Sequence, residues 1–131
     1  MTGAVILPAL DPELDRLEGL WSNGLSDAYR AYVDTVQHFP SEVQPRLALA
    51  AALIEEGVRL QGLGGRAAPA TTLLIGDLCL ARGSRILADH APLAVQVAFA
   101  RAIEATSSAA ASQQQPLIVR TLLLRALAAG R

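Results

Sequence analysis

The stretch that determines the fold lies at residues 45–63 and reads PRLALAAALIEEGVRLQGL. Its large apolar side chains fall on nearly every side of a helix: Leu47, Leu49, Leu53, Ile54, Val58 and Leu60. A helix that is apolar all round belongs in the interior of a protein. The pattern therefore predicts a central helix, covered by neighbours on several sides and ended by the glycines at 62–65.

Five further helices are predicted on the two sides of this one. Capping residues, prolines and apolar spacing place them at residues 11–23, 26–39, 71–89, 92–112 and 116–129. Alternating runs of β-branched residues, which would indicate strands, are missing. Because the links between helices are short, neighbouring helices should be antiparallel. We therefore expect one all-α domain over residues 1–131, a bundle of five or six antiparallel helices.

The composition excludes several classes of protein. The chain has 131 residues, of which 52 % are hydrophobic, and this is too apolar for a disordered chain. All 11 cations are arginine, they face 12 acidic residues, and the net charge of -1 predicts no nucleic-acid partner. No window is long and apolar enough to span a membrane, and no signal peptide precedes the first helix. We therefore expect a cytoplasmic protein.

The residue types that most often carry chemistry are few and have structural interpretations. The single cysteine, Cys79, lies in an apolar run and is interpreted as a small buried side chain. His38 and His90 stand at predicted helix ends, where the helix dipole favours a cation. Glu55 and Glu56 are adjacent, so they point about 100° apart and cannot share an ion. We expect them to lie at the surface, with Glu55 paired to Arg59 one turn later.

One stretch, residues 71–104, carries a specific motif: TTLLIGDLCLARGSRILADHAPLAVQVAFARAIE. It resembles the trans-isoprenyl diphosphate (polyprenyl) synthase family, in which a helix of the form LxGDxxLARAxxxLA is followed by a second apolar helix. The motif residues matched here are Gly76, Asp77, Leu80, Ala81 and Arg82. The resemblance covers part of the chain and implies part of the prenyl synthase fold.

The same resemblance implies that the chain is not itself an enzyme. Catalytic members hold Mg²⁺ with two aspartate-rich motifs, and no Asp-Asp pair occurs in this sequence. In the family, the basic residues that bind diphosphate stand beside the first of these motifs, and only Arg59 and Arg66 are near that place here. Possible polar contacts are therefore Glu55, Arg59 and Arg66. No catalytic residue, metal or cofactor is therefore expected.

The function that the resemblance implies is that of a short non-catalytic subunit. Its partner would be a second copy, forming a homodimer, or a catalytic prenyl synthase in a heteromer. Three alternatives stay open: a binding protein for a small apolar ligand such as an isoprenoid, a generic helical oligomerisation module, and a diphosphate-processing enzyme with an unrecognised site.

Gly76 and Gly83 are seven residues apart on one face of their helix, where they would let another helix approach closely. We expect this helix to be the structural centre of the molecule, and Asp77 to be partly buried beside an arginine, Thr72 or Ser84. Small residues in the second half of the chain, Ala81, Ala98 and Ala102 among them, leave two possibilities. They either line a cavity for an apolar ligand or close the space between helices.

Overall fold

The computed structural model of the chain describes residues 24–61, 70–111 and 118–129. These residues form five α-helices: α1 (Ser26–Val33), α2 (Gln44–Leu60), α3 (Ala70–His90), α4 (Leu93–Ala111) and α5 (Val119–Ala128). The described part of the chain contains no strand, which confirms the predicted all-α class. The helix predicted over residues 11–23, the glycines at 62–65 and the link at 113–115 lie outside the described residues.

The centre of the bundle is α2, as its apolar pattern predicts. Eight consecutive residues, 47–54, are at most 1 % exposed. The helix packs against α1, α3 and α5, so neighbours cover it on three sides. Alanines at four of these eight positions let the neighbouring helices approach closely.

The most extensive contact between described helices is that of α2 with α3, which are antiparallel. Gly57 of α2 lies against Gly76 of α3, and Ala50 of α2 lies against Gly83 of α3. Residue numbers therefore fall along one helix as they rise along the other. The predicted antiparallel arrangement is confirmed for this pair.

The prediction that α3 is the structural centre is wrong. Its Cys79 and Leu87 are buried, but Leu74 is 67 % exposed and Asp77, Ala81 and Ala88 are exposed as well. α3 has 21 residues and α2 has 17. The first turn of α3 lies beside the C-terminal end of α2, where Gln61 contacts Leu73. Among the described residues of α3, the buried ones, Gly76, Cys79, Gly83 and Leu87, lie on the one face that meets α2.

The second predicted helix ends earlier than expected, at Val33 rather than Phe39. Residues 34–38 form turns, with the Thr35 amide bonded to the Tyr32 carbonyl at 3.1 Å. Asp34, Thr35 and Val36 are weak helix formers, and a chain of such residues tightens readily into turns. The following helix begins at Gln44 without a side-chain cap, and the Gln44 side-chain amide donates to the Phe39 carbonyl at 2.8 Å.

Candidate functional site

The family-like motif lies on α3, with its members divided between two faces. Gly76 is buried against α2, and Leu80 is half-buried on the same side. Asp77 and Ala81 point away from that side and are exposed, and Arg82 is half-buried. The apolar half of the motif therefore serves packing, and the exposed half is accessible from outside the bundle.

Gly76 is a packing glycine, as predicted. A Cβ atom at Gly76 would lie 3.2 Å from the Gly57 carbonyl oxygen and 3.2 Å from the Gln61 amide nitrogen. At Gly83 a Cβ would lie 2.9 Å from the Ala50 carbonyl oxygen, which is closer than a side chain tolerates. At these two glycines the small residues close the space between helices rather than opening a cavity.

Asp77 has a different environment from the one predicted. Its side chain is exposed, and its Oδ1 accepts a hydrogen bond of 2.6 Å from the Gln61 amide. The same amide nitrogen donates to the Leu73 carbonyl at 3.2 Å. Among the described residues, the partner of Asp77 is a glutamine at the end of α2 and not the expected arginine, Thr72 or Ser84. This glutamine ties the end of α2 to the second turn of α3.

The prediction that Glu55 pairs with Arg59 is wrong. Glu55 pairs instead with Arg120 of α5. The Arg120 Nε lies 3.0 Å from Glu55 Oε1, and its Nη2 lies 2.8 Å from Glu55 Oε2. The Tyr32 hydroxyl donates to Glu55 Oε1 at 2.7 Å. The Glu55 side chain is only 14 % exposed, so it is not a surface residue.

This cluster joins three helices, α1 through Tyr32, α2 through Glu55 and α5 through Arg120. Arg120 also reaches Asp27 of α1, with its Nη2 3.4 Å from Asp27 Oδ2. Burial, together with the hydrogen bond and charge of Glu55, raises the pKa of Tyr32. The hydrogen bond to Glu55 raises the pKa of Arg120, which keeps its charge at every accessible pH. The cluster is built to hold helices together.

Arg59 pairs with the neighbouring carboxylate, Glu56. The Arg59 Nε donates to Glu56 Oε1 at 3.2 Å, and its Nη2 contacts the other oxygen. Glu56 is 2 % exposed. Gly24 packs against both side chains of the pair, and its φ of +150° favours glycine. Both carboxylates of α2 are therefore occupied by arginines. Arg66, the third residue predicted to make polar contacts, lies outside the described residues.

The remaining chemistry-bearing residues have structural environments. Cys79 is fully buried, and burial raises the pKa of its thiol to about 12, with a smaller contribution from the charge of Glu56. The prediction that it is a buried apolar side chain is confirmed. His90 is the last residue of α3, as predicted. His38 lies in the turns after α1 rather than at a helix end, with its ring 4.1 Å from that of Phe39.

Within the described helices, the surfaces open to other molecules include the following three. The first, which we name the outer α3 face, consists of exposed residues spaced three and four apart: Leu74, Asp77, Ala81, Ser84 and Ala88. The second, the α4–α5 groove, has a volume of about 420 Å³ and is lined mainly by alanines, with Arg101 and Arg125 on its walls. The third, the α3–α4 cleft, has a volume of about 210 Å³ and reaches the buried side chains of Ile54 and Phe99.

Among residues 24–61, 70–111 and 118–129, no group of three or more histidine, cysteine, aspartate or glutamate side chains could hold a metal ion. In the same residues, no helix combines the length and the hydropathy needed to cross a membrane. The chain matches no family model, no curated protein and no solved structure.

Proposed function

We propose that this chain is a non-catalytic helical subunit that binds a catalytic prenyl diphosphate synthase and assists it. The resemblance of residues 71–104 to that family supports the choice of partner. The observation that carries the proposal is the outer α3 face, since Asp77 and Ala81 of the family-like motif lie on it and are accessible.

The outer α3 face suits contact with a helix of another protein. Its residues recur at spacings of three and four, the period of a seam between paired helices. Ala81, Ser84 and Ala88 are small, so a partner helix could approach closely. Leu74 at one end is two-thirds exposed and offers a large apolar side chain for a partner pocket.

The contacts of three carboxylates support a non-catalytic function. Glu55 and Glu56 are occupied by Arg120 and Arg59, and Asp77 accepts from Gln61. Glu55 and Asp77 each link two helices, and Glu56 pairs with Arg59 within α2. Freeing any of these carboxylates to bind a substrate would break its contact. In a subunit that only assists catalysis, these residues can serve the fold alone.

The test combines binding and activity. A tagged chain is used to capture partners from its own cells, and the proposal requires that mass spectrometry identify a prenyl synthase. Ala81→Arg, on the outer α3 face, should abolish that capture, whereas Ser107→Arg, at an exposed position of α4, should leave it unchanged. A change in product chain length on adding the chain to the purified synthase would support assistance. Capture that survives Ala81→Arg would contradict the proposed surface.

The chain alone should not elongate an allylic diphosphate. Without an aspartate-rich motif, the leaving diphosphate has no Mg²⁺ clamp. Purified chain is incubated with allylic diphosphate, isopentenyl diphosphate and Mg²⁺. Mg²⁺-dependent elongation above a heat-inactivated control would overturn the non-catalytic part of the proposal and favour the diphosphate-processing alternative.

The α3–α4 cleft favours a second candidate function, the binding of a small apolar ligand such as an isoprenoid. Ile54, Leu87 and Phe99 give it an apolar floor, and Ser84 lies at its edge. Farnesol at one hundred times its dissociation constant should add about 2.7 kcal/mol to the stability. Ala100→Leu should narrow the cleft and reduce that shift, whereas Ala105→Leu, outside the cleft, should not. No shift with any chain length would eliminate this candidate.

A further inference from the structure

The α4–α5 groove is an apolar surface that is open to another molecule. Its lining consists mainly of small residues of the two helices: Ala94, Ala98, Ala102, Ala105, Ala126 and Ala129. Val97, which also lines it, is 40 % exposed, and Leu93, one turn earlier in α4, is 73 % exposed. These are two of the five large hydrophobic side chains that are exposed in the described part of the chain. The small side chains let a helix of another molecule approach both walls closely.

The exposed edge of α4 beside the groove carries one charge of each sign. Arg101 and Glu104 are both exposed and stand three residues apart. Neither has an ion-pair or hydrogen-bond partner among the described residues. They do not pair with each other, and arginine before glutamate is the less favourable order for an ion pair within one helix. Both charges are therefore available to a molecule that docks on the groove.

The two charges are arranged so that α4 is complementary to a second copy of itself. A two-fold axis that crosses α4 between Arg101 and Glu104 brings a second α4 against the first in antiparallel orientation. Arg101 of each chain then lies level with Glu104 of the partner subunit, so the same ion pair forms twice. A partner with charges of one sign, such as a nucleic acid or an anionic membrane, would match only one of the two residues.

We propose that a second copy of the chain docks on the α4–α5 groove, with the two α4 helices antiparallel. The two helix pairs then form a four-helix bundle, with Val97 and the alanines of the groove between them. The reciprocal ion pairs of Arg101 with the partner's Glu104 border this apolar contact. Arg125, on the α5 wall, stays in contact with solvent at the opposite edge. The outer α3 face is a different surface, so this proposal stands or falls separately from the proposed function.

Charge reversal at the two positions tests the pairing. Arg101→Glu gives an edge with two acidic residues, and Glu104→Arg gives an edge with two arginines. In sedimentation equilibrium the native chain should be a dimer, and each variant alone should dimerise about tenfold more weakly or not at all, because like charges meet across the axis. An equimolar mixture of the two variants should restore the dimer, and so should the double variant, which exchanges the charges within one chain.

Two controls separate the ion pairs from net charge and from damage to the fold. Arg30→Glu and Glu42→Arg, at exposed positions outside the groove, make the same changes of net charge and should leave the dimer unchanged. Recovery of the dimer in the mixture requires that both reversed variants are folded.

Three outcomes would overturn the proposal. The first is a native chain that stays monomeric at every concentration that can be reached. The second is a dimer that survives both single reversals, which would assign the interface to another surface. The third is a mixture of the two folded variants that stays monomeric, since reciprocal pairing requires that they combine.

Discussion

Glu55 and Arg120 are 65 residues apart in the sequence and form a two-point ion pair between α2 and α5, with N–O distances of 3.0 and 2.8 Å. The two parallel hydrogen bonds fix both the distance and the orientation of the helices. Tyr32 adds a third bond to the same carboxylate from α1. This one carboxylate therefore determines how three helices meet.

Replacing Arg120 by alanine should destabilise the protein by about 1–3 kcal/mol, because a nearly buried carboxylate loses its charged partner. Glu55→Gln should cost less, since Arg120 is 39 % exposed and can be solvated. Urea unfolding of the two single variants and the double variant gives the coupling energy. As a control, Arg85→Ala removes an exposed pair with Asp89 and should cost less than about 0.5 kcal/mol. Equal costs for Arg120→Ala and Arg85→Ala would refute the importance of the cluster.

The glycines of the α2–α3 contact should differ in their tolerance of alanine. At Gly83 a new Cβ would lie 2.7 Å from the Ile54 side chain and 2.9 Å from backbone, so Gly83→Ala should destabilise by about 1–3 kcal/mol. At Gly76 the nearest contacts are 3.2 Å and include the flexible Gln61. There the gain in helix propensity of about 1 kcal/mol should nearly offset the crowding.

Gly76→Leu should be strongly destabilising, because a large side chain must push α2 and α3 apart. Ser84→Ala, next to Gly83 but exposed, is the matched control and should be neutral or slightly stabilising. Thermal melting curves of the four variants give the order. Stabilisation by Gly83→Ala would mean that the two helices are farther apart than the structure shows.

The Cys79 thiol should be unreactive in the native protein. It is fully buried and its pKa is raised to about 12, so almost no thiolate is present at neutral pH. Reaction with a disulfide reagent should therefore require unfolding, and the destabilising Arg120→Ala variant should react faster, by about tenfold for each ~1.4 kcal/mol of lost stability. A cysteine introduced at exposed Ser107 supplies the reference rate. Fast reaction of native Cys79 would show that the core opens locally.

The stability should decrease at alkaline pH, beginning near the unfolded pKa values of Cys79 and Tyr32. Both groups have raised pKa values in the folded state, from 9.0 and 10.0, so the folded state retains protons that the unfolded state has lost. The stabilisation is fully present below those values and is lost as the pH rises above them. Urea unfolding at about pH 8 and about pH 11 measures the change.

Tyr32→Phe isolates the contribution of the tyrosine to this alkaline loss. The variant should be less stable than the native protein at about pH 8 by about 1 kcal/mol, the value of one hydrogen bond. At about pH 11 the difference should shrink or reverse, because phenylalanine has no proton to retain. A difference independent of pH would contradict the raised pKa of Tyr32.

The features that follow from local spacing could be predicted from the sequence. The burial of α2 follows from apolar residues on every side of one helix. The packing role of Gly76 follows because glycine is unfavourable inside a helix and is tolerated where another helix must approach closely. The bounds of α3 and α4 also follow from prolines and capping residues that stand at their ends.

The pairings between helices could not be predicted in this way. Nothing near Glu55 indicates that its partner is Arg120, and both Glu55 and Glu56 stand at a spacing from which Arg59 can be reached. The bond between Gln61 and Asp77 depends on the register of α2 against α3, which the close approach at the glycines determines. The early end of α1 depends on several weak helix formers whose preferences are small singly.

The long sequence separation of the Glu55–Arg120 pair has a consequence for the order of folding. The contacts of α2 with α3 join segments that are near in the sequence, so they cost less loop entropy and should form before α5 arrives. The ion pair is then expected to form after the transition state. Removing it should accelerate unfolding while leaving the refolding rate nearly unchanged. The pair therefore slows the unfolding of a core that has already assembled.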